Sequence, residues 1–245
     1  MNTRNIFRAL ALGLVLALIG PVAYSAVTFE APQFAWHQAP HTSAGLAPAP
    51  ADEPRAVVQV YAARAFAWRG IFSVHTWIVT KPASGDAYTR YDVVGWGGGR
   101  VAVNRHGPDA QWYGSAPTLL VDLRGDEAEA LLPRIQAAID GYPFASAYRT
   151  WPGPNSNTFV AHIGRSVPEL GLDMPANAIG KDYRAWTDPI GAAPSGSGVQ
   201  ISLLGALGVI VAPREGLEIN VLGLSAGVDL DPVGLRLPAV GAWRF

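Results

Sequence analysis

Trp151 to Ile163, reading WPGPNSNTFVAHI, constrains the fold of this chain more than any other stretch. Two prolines around a glycine force a turn, and the run after it has apolar residues at helical spacing. A helix therefore starts near Asn155. Its first backbone N–H groups have no partners within the helix, and its positive dipole end favours negative charge. Val160, Ile163 and Val167 come after Ser156 at i+4, i+7 and i+11, so they share its face. Ser156 then leans toward the core, an unusual place for a hydroxyl. Either Asn155 or Ser156 is a helix cap after a turn, or the polar group is a site.

The composition of the 245-residue sequence narrows the classes. Hydrophobic residues make up 49% and charged residues 15%, a balance of a folded domain rather than a disordered one. A net charge of −1 leaves no basic excess for nucleic acid. With no cysteine, disulfides, thiolate zinc sites and a cysteine nucleophile are excluded. The 27 glycines and 20 prolines imply many turns and short elements rather than a helix bundle.

Met1 to Arg8 carries two arginines and no acid, and Ala9 to Ala26 is almost wholly apolar. Pro21 precedes Ala23-Tyr24-Ser25, a small-x-small pattern. Residues 1–26 thus read as a cleaved secretory signal or as an uncleaved membrane anchor, and both export the rest of the chain. The expected location is the cell envelope, with the membrane as partner through this segment. Residues 27–55 read as a linker, rich in Ala and Pro from Ala31 to Arg55, with His37 and His41 as linker residues.

Residues 56–245 are expected to form a single α+β domain, an antiparallel sheet packed against a helix. Val57 to Arg64 reads as a strand. Ile71 to Lys81 and Tyr88 to Gly95 form a hairpin about a Pro-Ala-Ser-Gly-Asp turn, and Arg100 to Asn104 adds a short strand. Asp126 to Asp140 reads as a helix with a capping-box-like Asp126–Glu129 pair and a stripe of Leu131, Leu132, Ile135 and Ile139. Pro133 within it predicts a kink or a late start. Val199 to Ala212 and Leu217 to Val221 read as a buried hairpin turning at Pro213 to Gly216.

The groups able to do chemistry are few. His75 lies in a strand among Val74, Trp77 and Ile78, whereas His106 in its loop and His162 on the outer helix face read as solvated. No zinc-binding, Walker or dinucleotide signature occurs, so no metal and no cofactor is expected. A GxSxG does occur at Gly223 to Gly227, but VDLDPVGL comes after it and no histidine lies downstream. It reads as a small-residue turn rather than a hydrolase elbow.

From Val57 to about Leu237 the chain resembles the bacterial domain-of-unknown-function family 3750. The residues that carry the resemblance are VQVYAARAFAWRGIFSVHTWIVTK, YRTWPGPNSNTFVAHI and NAIGKDY. It implies no known activity. HTWIVTK, with Asn155-Ser156-x-x-Phe159 later in the chain, is also similar to circularly permuted papain-like enzymes, the NlpC-type and lecithin–retinol acyltransferase-like proteins. Serine stands here where those enzymes have cysteine. That resemblance implies Ser156 as nucleophile and His75 as base. A serine hydroxyl needs such a base, because a helix terminus contributes only about 0.3–1 kcal/mol.

Two functions are compatible with these residues. In the first, Ser156, His75 and an orienting Asp92 hydrolyse or transfer an amide or ester of a cell-wall or lipid-linked substrate. Asp92 enters because a hairpin turning at Ser84-Gly85 sets it opposite Trp77, on the face of His75. In the second, the site is vestigial and the chain is an envelope binding or structural module. Asn155, Asn157, Arg149, Trp77 and Trp151, with Tyr148 nearby, are the candidate binding residues.

Overall fold

The computed structural model describes residues 2–230 and 232–244. The fold is α+β, with an apolar N-terminal helix α1 (Thr3–Thr28) ahead of two antiparallel sheets. The first sheet is built from β1 (Val57–Arg64), β2 (Val74–Lys81), β3 (Thr89–Val93), β4 (Val101–Val103) and β5 (Thr118–Arg124), in the order β4-β3-β2-β1-β5. Helices α2 (Asp126–Asp140) and α3 (Ser156–Ser166) come next in the chain. The second sheet is a meander of β6 (Ile190–Gly191), β7 (Val199–Leu203), β8 (Leu207–Ala212), β9 (Gly216–Val221), β10 (Leu224–Leu230), β11 (Val233–Leu237) and β12 (Gly241–Arg244).

Strand alternation gives the first sheet two faces. Val58, Val60 and Ala62 of β1 and Val74 and Ile78 of β2 point to one side, where they form a core with Leu131, Ile135 and Ile139 of α2 and Phe159, Val160 and Ile163 of α3. Each such large side chain contributes about 1.5–3 kcal/mol on full burial. Helix α3 packs on the hairpin that carries His75, as the apolar periodicity implies. The Asp126–Glu129 box does not form. Gly125 takes the cap position at φ 76°, and the Glu129 carboxylate instead accepts the Ala83 N–H at 2.8 Å. Pro133 lies inside α2, which continues to Asp140.

The other face carries Tyr61, Ala63, Trp77 and Val79, covered by Trp112 and Tyr113 and by Ala39. The stretch read as a linker is thus a strap. His41 bonds the Gln111 carbonyl, Ser43 donates to Asp109, and the Pro48 carbonyl accepts the Tyr88 hydroxyl. Its alanines and prolines fill the gap over a sheet face too aromatic to leave in water.

In the second sheet Val199 to Ala212 is itself a hairpin, reversing at Leu204-Gly205 with positive φ at both, and the next reversal falls at Pro213 to Gly216 as the sequence implies. The polarity of this sheet is inverted. Gln200, Ser202, Glu218, Asn220, Asp229 and Arg236 are buried, while the alternate positions of the same strands carry exposed aliphatic side chains. The buried charges neutralise one another: Lys181 Nζ lies 2.8 Å from Glu218, Arg236 Nη1 lies 3.1 Å from the same carboxylate, and Arg236 also pairs with Asp173 and Asp229.

Candidate functional site

The turn before α3 ends at Asn155, which caps the helix as its sequence implies. Its side chain accepts the N–H groups of Asn157 and Thr158, and the Thr158 hydroxyl accepts the Asn155 N–H. Trp151–Pro152 and Gly153–Pro154 are both cis. The polar side chains here are spent on the 177–183 segment. Asn155 Nδ2 donates to the Ile179 and Thr150 carbonyls, Asn157 Nδ2 to Ile179 and Val74, and Thr158 Oγ1 to Gly180. Gly180 has φ 94°, and a Cβ there would lie 2.6 Å from Asn155 Nδ2. WPGPNSNTF and NAIGKDY therefore read as two halves of one clip. Ser156 is buried at the helix start, and its hydroxyl forms no hydrogen bond among the described residues.

His75 projects from the other side of β2. Its ring stacks on Trp112 at 3.6 Å between centroids, with the planes 7° apart. Pairing of Ile78 with Tyr91 and Val79 with Arg90 brings Asp92 to the same face, with Oδ2 3.7 Å from His75 Nε2. That is beyond hydrogen-bond reach, and His75 Nε2 is buried without a partner. Burial pushes the imidazole below its ordinary pKa, against the pull of Asp92. Burial opposes ionisation of Asp92 as well, but His75 and Arg90 outweigh it and hold the carboxyl below the usual range. Arg90 donates to Asp92 at 3.0 and 3.1 Å, and its guanidinium lies 4.1 Å from the centre of the Trp77 ring.

No hydrogen bond joins Ser156 to His75 among the described residues. Thr76, between His75 and Trp77, points toward α3 and donates to Asn157 Oδ1 at 2.9 Å and to the Ser156 carbonyl at 3.3 Å. By alternation His75 projects from the face of β2 opposite to Thr76. The other expected binding residues are dispersed. Trp77 is buried in the strap-side core, Trp151 reaches the Leu222 carbonyl at the tip of a hairpin, and Arg149 is exposed.

A cleft of 530 Å³ opens between the strap and β3. Ala47, Pro48, Pro50, Tyr88, Arg90, His106 and Asp109 are among the residues that line it. The Asp109 carboxylate is fixed by Ser43 Oγ and by the N–H groups of Leu46 and Ala47. His106, expected in solvent, stacks on His41 at 3.9 Å, and burial with that neighbour lowers its pKa to about 4. His162 is likewise half-buried and bonds the Ala138 carbonyl at 3.0 Å. Ser225 sits in β10 opposite Asn220, after a turn at Leu222-Gly223, so GLSAG is a hairpin. His41, Arg90 and the His106–Asp109 loop come from separate stretches of the sequence, and no motif marks them as a group. The one available signal is the alternation of β3, which puts Arg90 on the face of Asp92.

These features define an α+β module with an apolar N-terminal helix, a helix-start clip on one sheet face and a strapped polar site on the other. Residues 55–183 match the family model described as "Protein of unknown function (DUF3750)", and the chain belongs to that family. Comparison with curated proteins and with solved structures gives no match.

Proposed function

We propose that this chain is a non-catalytic module of the cell envelope, tethered to the membrane by α1, which binds a small ligand in the cleft beneath the strap. In this reading Ser156 is a helix-start residue, and His75 with Asp92 and Arg90 is a buried support for the cleft wall. The observation that carries it is the orientation of β2, with Thr76 fastened to α3 and His75 stacked on Trp112. A serine with no base hydrogen-bonded to its hydroxyl has no ready route to an alkoxide at neutral pH. The length and hydropathy of α1 support the tether, since 26 residues exceed the roughly 20 needed to span a bilayer.

The competing reading, a hydrolase or acyltransferase acting through Ser156, His75 and Asp92, makes a different demand. Purified full-length protein treated with a fluorophosphonate probe should show no adduct on the Ser156 peptide by mass spectrometry. An adduct there that disappears in both Ser156→Ala and His75→Ala would overturn the non-catalytic reading.

A further inference from the structure

We propose that the outward face of the second sheet is seated on the bilayer at the boundary between headgroups and acyl chains, so that the chain is held by a sheet as well as by a helix. The inference rests on the membrane tether proposed above. On this sheet the alternate positions that face away from the rest of the protein are apolar. Val199 and Ile201 of β7, Val209 and Val211 of β8, Leu217 of β9 and Leu230 of β10 are all exposed, Val211 at 53% and Leu230 at 72%. No charged side chain lies in these outward rows among the described residues.

An antiparallel sheet with one face in water normally turns its polar residues to that face. Here Gln200, Glu218 and Asn220 turn inward, to Arg165, Lys181 and Asp182, and Ser202 is buried on the same side. Polar residues inside and aliphatic residues outside is the polarity of a sheet that meets lipid. Scattered apolar side chains on a surface need no explanation, but a continuous aliphatic face across neighbouring strands does.

What selects lipid over a protein partner is α1, which packs against β10 and β11. The membrane-spanning candidate and the aliphatic face therefore belong to one continuous apolar surface, and inserting the helix brings the bilayer to the sheet. The sheet cannot cross the hydrocarbon, because β6 and β12 are open edges whose backbone groups need water. It can lie flat at the boundary, as interfacial helices do. Trp243 on the edge strand β12 is exposed on the same face, where an indole suits the headgroup zone.

The absence of cysteine makes a direct test possible. Single cysteines at Val209, at Val15 of α1 and at Glu127 of α2, each carrying a fluorophore, would be made in the full chain. The chain would be reconstituted in phosphatidylethanolamine–phosphatidylglycerol vesicles, and quenching by brominated acyl chains compared with quenching by aqueous iodide. The label at Val209 is expected to be quenched several-fold more by lipid than by iodide, and the label at Glu127 the reverse. A Val209 label open to iodide and silent to lipid, with Val15 quenched by lipid, overturns the seating and leaves the tether intact. A Val209 label shielded from both quenchers, with pyrene excimers forming between copies, also overturns it, in favour of self-association. Lipid quenching at Val209 without lipid quenching at Val15 keeps the seating and removes the tether. Should Val209→Cys lose its far-ultraviolet dichroism, Leu217→Cys takes its place with the same criteria.

Discussion

Thr76 Oγ1 donates to Asn157 Oδ1 at 2.9 Å, and this bond fastens the helix that begins at Ser156 to the face of β2 that His75 does not share. The neighbouring residue on the strand, His75, is stacked on Trp112 and lies 3.7 Å from Asp92. The polar residues of WPGPNSNTF then have a structural task, holding the 177–183 segment by its carbonyls.

That task separates two adjacent residues. Asn155→Ala removes the acceptor for two helix N–H groups and the donor to the Ile179 and Thr150 carbonyls. It should cost about 2–4 kcal/mol, combining a lost cap with buried acceptors left unpaired. Ser156→Ala removes a hydroxyl that bonds nothing among the described residues and should cost less than about 1 kcal/mol. Urea unfolding of the two variants beside wild type measures the difference, and equal losses would contradict the clip.

Gly180 is the other half of the clip. At φ 94° a side chain is strained, and a Cβ would meet Asn155 Nδ2 at 2.6 Å. Gly180→Ala should destabilise by roughly 1–3 kcal/mol. Combined with Asn155→Ala it should cost clearly less than the two added together, since the collision is then gone. Additive losses in a denaturant-based double-mutant cycle would show that the two residues do not meet.

The buried pair of Lys181 and Glu218 predicts a strong single-mutant effect. Lys181→Met leaves Glu218 buried with Arg236 Nη1 at 3.1 Å as its remaining partner. The loss should lie near the lower end of the roughly 3–5 kcal/mol typical of breaking a buried pair. Lys181→Met with Glu218→Gln should recover part of it. Thermal unfolding by calorimetry checks the order of the three proteins.

Three histidines with depressed pKa values set a pH dependence. His106, His75 and His162 are held neutral in the fold by burial, His106 with a pKa of about 4. In the unfolded chain each takes a proton near pH 6.5. Below that pH the unfolded state binds more protons, so stability is full above about 6.5 and is lost as pH falls toward 4. His106→Phe keeps a ring against His41 and removes one proton from this slope. Its unfolding free energy should therefore vary less between pH 6.5 and 4 than that of wild type.

Much of this arrangement can be read from spacing. The Asn155 cap, the span of α2 and the register that sets Asp92 on the face of His75 all come from local patterns. Alternation, however, divides a strand into two faces without saying which face a distant helix will cover. That missing fact decides the relation of Ser156 to His75. The same ambiguity applies to Glu218 and Asn220, whose alternation is evident but whose inward direction depends on Lys181 and Arg236 from far along the chain. The strap is hidden for another reason. Ala- and Pro-rich sequence has no periodicity, and its fit to Trp112 and Tyr113 is a matter of shape.

The central claim is that His75 faces Trp112 and not Ser156, and nuclear Overhauser contacts test it most directly. In full-length protein in micelles, with histidine and tryptophan selectively protonated in a deuterated background and serine likewise, the His75 ring should show strong contacts to the Trp112 indole, 3.6 Å away between centroids. It should show none to the Ser156 β protons. A contact between the His75 ring and Ser156, with none to Trp112, would contradict the account.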